Sequence, residues 1–244
     1  MLAARKKGIL LASDLKKRTR FAKMMKSSYR KDVWSKEITF YLDGKSFVHK
    51  TNPFSSARNP RGRIWRKRNE GTERGCTAKG SKSGTGGKNV HLIVCISHGH
   101  GVCAVEKYDK MDGQYFTSFV TRRFPVLFDK FKKTSRKLWI QDGDPSQNCK
   151  TARTAWENLG ANLISIPARS PDLNPIENVF NLAVKHLNKD TVEKLITRET
   201  YDEFVNRVIN ILFNIPVRII DKTIESVGKR IEMVIKNKGK RLNY

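Results

Sequence analysis

The stretch from Leu138 to Leu187 constrains this chain more than any other. An apolar run, Leu138-Trp139-Ile140, has the length and composition of a buried strand and delivers Asp142 at its end, before the turn-prone Gly143, Asp144 and Pro145. Ala152, Ala155, Trp156 and Leu159 then repeat at helical spacing, and residues 162–166 read as a second buried strand. The segment Ser-Pro-Asp-Leu-Asn-Pro-Ile-Glu-Asn (170–178) reads as a helix start, with Asn174 as N-cap, Pro175 at the first helical position and Glu177 in the first turn. Thirty-four residues, 143–176, separate Asp142 from Glu177. Each piece alone has a plain structural explanation. Asp-Gly-Asp-Pro makes turns, and a glutamate in a first turn complements the helix dipole. Together they place one carboxylate at a strand end and another at a helix start, able to converge as a hard divalent cation requires.

The run QDGDPSQN (141–148), its 34-residue spacing and the segment SPDLNPIEN closely resemble the second and third acids of the mariner-superfamily DDE transposases, in the branch whose third acid is Glu. The C-terminal sequence from Ile215 and the segment RIWRKRNEG (63–71) resemble the same branch, so the likeness extends over nearly the whole chain. It implies two-metal phosphoryl transfer on DNA, with Asp142 and Glu177 as catalytic residues that bind magnesium or manganese. It also implies a homodimer and a nuclear location. The family's first acid follows Trp-Ser in an early strand, but this chain reads Trp34-Ser35-Lys36-Glu37. Glu37 points to the opposite face of a strand, and Asp32 lies about 13 Å along it. Lys36 is therefore expected at the first acid's position. Alternation places it with Trp34, Ile38, Phe40 and Leu42, its stem buried and its ammonium reaching Asp142 and Glu177 in place of a metal ion. Asp43-Gly44 reads as a hairpin turn into Ser46–His49.

Composition supplies the partner. Lys and Arg number 49 against 23 acidic residues, a net charge of +26, which calls for a polyanion such as DNA. Around Trp65, the cationic residues Arg61, Arg63, Arg66, Lys67 and Arg68 offer phosphate contacts, while the indole either stacks on bases or packs beneath the sheet. No apolar run reaches membrane-spanning length, so no membrane is expected. The four cysteines form no CxxC pair, which fits a reducing compartment. Cys95-x-x-His98-x-His100-x-x-Cys103 reads as a hairpin turn with incidental ligands in preference to a zinc cluster.

The element order ββ–ββ–α–β–α–β–α, with acids on a strand end and a later helix, implies an α/β fold of the ribonuclease-H-like kind: a mixed sheet flanked by helices, with a helical C-terminal extension. Residues 1–31 form a basic helical arm capped by Ser13 or Asp14, and 32–244 the DDE-type domain. Pro125 is expected to kink or split the helix that carries Tyr115, Phe116, Phe119 and Val120. Three functions follow from these features. The first is a DNA-binding transposase domain impaired by Lys36. The second is an active metal-dependent nuclease or transposase completed by another carboxylate such as Asp144. The third is a non-catalytic basic nucleic-acid-binding protein.

Overall fold

The structure is a computed structural model that describes residues 2–3, 10–50, 52–58, 63–64, 87–131, 133–142 and 147–242. A two-residue strand, β1 (Leu2–Ala3), precedes helix α1 (Ala12–Ser28), where the Asp14 carboxylate accepts the Leu11 N–H at 2.9 Å. One helical turn, α2 (Val33–Lys36), leads into the long strand β2 (Ile38–His49). After α3 (Pro53–Arg58) and β3 (Arg63–Ile64), which pairs antiparallel with β1, come β4 (Lys88–Ser97) and β5 (Gly101–Tyr108). Helix α4 (Gly113–Lys130), β6 (Leu138–Gln141), α5 (Lys150–Asn158) and β7 (Asn162–Ser165) then alternate. A 3-10 turn over Pro171–Leu173 opens into α6 (Ile176–Glu193), followed by α7 (Tyr201–Phe213) and α8 (Val217–Lys236).

Five strands form one mixed sheet in the order β5-β4-β2-β6-β7. Strand β4 pairs antiparallel with both β5 and β2, whereas β6 pairs parallel with both β2 and β7. Each face of the sheet buries its own core. On one face Phe40, Leu42 and Trp139 meet Phe116, Phe119, Phe124 and Trp156 of α4 and α5, with Trp139 and Trp156 stacked at 3.6 Å between ring centroids. On the other, Tyr41, Phe47 and Ile140 meet α6, α7 and α8 through residues such as Ile176, Phe180, Val208 and Ile224. The sheet with helices on both faces is the expected ribonuclease-H-like α/β architecture. Helix α4 runs unbroken through Pro125. His98 to His100 turn the β4–β5 hairpin with Gly99 at φ +81°, and His98 pairs with Glu225 at 3.0 Å. Cys95 and Cys103 are free thiols on the two strands of this hairpin.

Two expectations about the early chain are overturned. Lys36 does not lie in a strand. It closes a helical turn: its N–H donates to the Asp32 carbonyl at 2.9 Å, four residues back, the bond of an α-helix and not of a strand ladder. The Lys36 ammonium is solvent-exposed and pairs with Asp32 at 3.0 Å, so it cannot stand at the first acid's position. Asp43-Gly44 is not a turn either. Strand β2 continues through it, with Asp43 opposite Val94 and Gly44 opposite Ile93. Gly44 leaves room for the Tyr108 hydroxyl, which would lie 2.9 Å from a Cβ there and would have to shift.

Helix α1 is docked, not free. Phe21, Ala22 and Met25 are buried, and Arg18 is fully buried. The Arg18 guanidinium donates to both carboxylate oxygens of Asp172, at 2.9 and 2.6 Å, and its Nε donates to the Gly239 carbonyl at 2.8 Å. Gly239 lies at φ +82°, and a Cβ there would sit 2.2 Å from the Leu15 carbonyl oxygen, so only glycine lets the C-terminal tail close on α1. From the other side, buried Arg230 of α8 donates to the Asp172 carbonyl and to Asn178 Oδ1, both at 3.1 Å. The segment that starts α6 is thus held between two buried arginines.

Candidate active site

Parallel pairing assembles the site. Tyr41 on β2 stands opposite Ile140 on β6, so two residues further Asp43 comes level with Asp142. Period-two alternation turns Asp43 to the same face as Tyr41 and Phe47, toward α6. There the start of α6 presents Glu177, and Asn174 secures it: its Oδ1 accepts the Ile176 N–H at 3.3 Å, the expected capping bond. The Asn174 side chain also donates to Asp43 Oδ2 at 3.2 Å, tying the helix start to the strand.

Asp43, Asp142 and Glu177 line one cleft of about 90 Å³, walled by Ile166, Pro167, Ser170 and Pro171. The Asp43 carboxyl titrates well above the usual carboxylate range. Burial is the largest cause, followed by the charges of Asp142 and then Glu177, with the Gly44 N–H bond opposing them. Gly44 N–H donates to Asp43 Oδ1 at 2.7 Å. Among the described residues no three acidic, imidazole or thiol groups stand close enough, as they are, to chelate one ion. The charge of Lys45, whose ammonium lies 3.4 Å from Glu177 Oε2, opposes the repulsion as well, and Asn174 donates to Asp43. The donor set is all oxygen and strongly anionic, which suits magnesium or manganese and not a soft metal.

The structure therefore brings Asp142 and Glu177 together and adds Asp43, while Lys36 lies elsewhere. Arg61, Trp65, Arg66, Lys67 and Arg68 lie outside the described residues, as does Asp144; of Arg63 only the backbone, in β3, is described. Arg169 was not singled out from sequence. It stands at the rim of the cleft at φ +59°, and its guanidinium is half-exposed and paired with Asp14 at 3.0 Å. A signal for Asp43 was available in the sequence: ITFYLDG (38–44) and KLWIQDG (137–143) are both apolar runs closed by Asp-Gly.

Three comparisons with known proteins bear on the family and the fold. Residues 53–199, more than half of the chain, match the family described as DDE superfamily endonuclease; that span contains Asp142 and Glu177 and begins after Asp43. The Tc1 transposase of Caenorhabditis elegans is 27% identical over 139 residues, 50% of this chain and 49% of that protein. The chain thus spans about half the length of that relative. The catalytic domain of Mos1 mariner transposase shares the fold at a TM-score of 0.70 and 14% identity, over 98% of this chain and 100% of that domain. The Mos1 mariner paired end complex with Mn gives a TM-score of 0.72 at 17% identity, over 100% of this chain and 68% of that one. The chain belongs to the DDE superfamily of endonucleases.

Proposed function

We propose that this chain is the catalytic domain of a DNA transposase, and that Asp43, Asp142 and Glu177 are its three metal-binding acids. The observation that carries this reading is the convergence of the three carboxylates, from two parallel strands and one helix start, on a single cleft. A bound magnesium or manganese ion would polarise the phosphodiester and lower the pKa of an attacking water or 3′-hydroxyl. The residues of the chain supply the rest. Asp43 and Asp142 are fixed by the sheet, Glu177 by the Asn174 cap, and the Asp172 carboxylate is left to hold the segment in place through Arg18. Arg169 at the rim of the cleft is placed to meet a DNA phosphate. The net charge of +26 supports DNA as the partner. The impairment expected from Lys36 loses its basis, because that lysine is not at the acids.

Pairing of two copies and a nuclear site of action belong to the same proposal and rest on the resemblance, as does the division into a basic arm over 1–31 and a catalytic domain over 32–244. The test is nicking of supercoiled plasmid with magnesium or manganese. Wild type should nick, and Asp43→Asn, Asp142→Asn and Glu177→Gln should each abolish nicking while remaining folded by circular dichroism. A chain that binds DNA but nicks with neither metal would favour the reading as a purely nucleic-acid-binding protein.

A further inference from the structure

The acids of the cleft are not left to face each other alone. Lys45 follows Asp43 by two residues on β2, so both side chains project from one face toward α6. Its ammonium stands 3.4 Å from Glu177 Oε2, and it also lies 5.5 Å from the centre of the Phe180 ring, one turn along α6. About a third of Lys45 and of Glu177 is exposed, so water reaches the pair and weakens it. At 3.4 Å the contact is at the loose end of hydrogen bonding. A lysine is a compact point charge on a flexible stem, suited to leaving such a contact and taking another nearby. Arg169, the cation among the described residues that line the cleft, is already paired with Asp14.

We propose that Lys45 is a tethered counter-ion of the acid cleft, which occupies Glu177 until a divalent ion displaces it and then turns its charge to the phosphate of the incoming DNA. The inference rests on the three-acid reading of the site and adds to it a positioning residue that sets metal affinity. Two effects of opposite sign follow. Removing the charge of Lys45 strengthens metal binding, because a unit charge and a divalent ion about 5 Å apart repel by roughly tenfold in binding constant even at the dielectric of water. The same removal weakens the binding of DNA.

The test is a manganese titration of the full chain without DNA, followed by paramagnetic resonance of free ion and by the rise in melting temperature. Lys45→Met keeps the stem against Phe180 and removes the charge; Lys45→Gln provides a second neutral variant, and Lys45→Arg keeps the charge. Both neutral variants should bind manganese about tenfold more tightly than wild type, with Lys45→Arg close to wild type. Their KM for plasmid nicking should rise, and Lys45→Arg should restore it. A merely structural lysine would weaken both metal and DNA binding, and that outcome overturns the proposal. So does manganese affinity within twofold of wild type in a folded neutral variant, which leaves the three-acid site standing. If folded wild type and Glu177→Gln bind manganese equally, the three-acid site itself fails, and the proposal falls with it.

Discussion

Arg18→Met tests how the segment that leads into α6 and Glu177 is held. Arg18 is fully buried, as is the Asp172 carboxylate it clamps through two hydrogen bonds of 2.9 and 2.6 Å. Methionine fills much of the space of the arginine stem but leaves Asp172 with the Leu242 N–H, at 2.9 Å, as its remaining donor of those described here. It also frees the Gly239 carbonyl that Arg18 Nε satisfies. Breaking one side of a buried ion pair costs about 3–5 kcal/mol, because the other charge stays buried without its partner. For a chain of this size each kcal/mol lowers the melting temperature by at least about 2 °C, so a fall of about 6–10 °C or more is expected. The assay is thermal unfolding by calorimetry, with the calorimetric and van't Hoff enthalpies compared to establish a single transition. Arg18→Met combined with Asp172→Leu removes both charges and should recover most of the loss, since replacing a whole buried pair with apolar groups is often neutral. A single variant that melts with wild type would refute the reasoning. So would a double variant whose loss equals the sum of the two single losses.

The pKa of Asp43 gives a pH prediction. Its carboxyl is raised in the folded chain, by burial and then by Asp142 and Glu177, so metal-free protein should lose stability as pH rises above about 4, where the unfolded chain ionises first. Asp43→Asn removes that loss and should melt above wild type in EDTA at neutral pH, with the difference closing below about pH 4; a constant difference across pH would contradict it. Lys36→Ala should leave melting temperature, manganese affinity and nicking unchanged, because its ammonium is exposed and pairs with Asp32, away from the acids; a change in metal affinity would return Lys36 to the site. Trp156→Ala removes the ring stacked on Trp139 and set edge-on to Phe124 at 4.6 Å, at a cost of about 3–5 kcal/mol read by chemical denaturation.

The later half of the site was legible because its residues obey local rules. Leu138-Trp139-Ile140 has strand composition, and Asn174-Pro175 is a helix start whose cap bond the structure contains. Those rules fix where Asp142 and Glu177 sit without knowledge of the rest of the chain. Asp43 was not legible by the same means. Asp43-Gly44 carries the strongest local turn signal, yet nine consecutive residue pairs with β4, from Tyr41 to His49, override it, and the glycine leaves room for the Tyr108 hydroxyl. Lys36 was misplaced by trusting alternation across Trp34 and Ile38, where a single helical turn buries Val33 and Trp34 together. The lysine that stands near the acids is Lys45, two residues beyond Asp43, with its ammonium 3.4 Å from Glu177 Oε2. Asp172 and Arg18 are 154 residues apart, and no local pattern links them.

The central claim, that Asp43, Asp142 and Glu177 together hold divalent metal, is tested most directly by anomalous diffraction from crystals grown with manganese. The account predicts anomalous density in the cleft between these three carboxylates, with Lys45 turned away from Glu177 and Lys36 still paired with Asp32 at the surface. Manganese bound elsewhere, or bound by Asp142 and Glu177 with Asp43 taking no part, would contradict it.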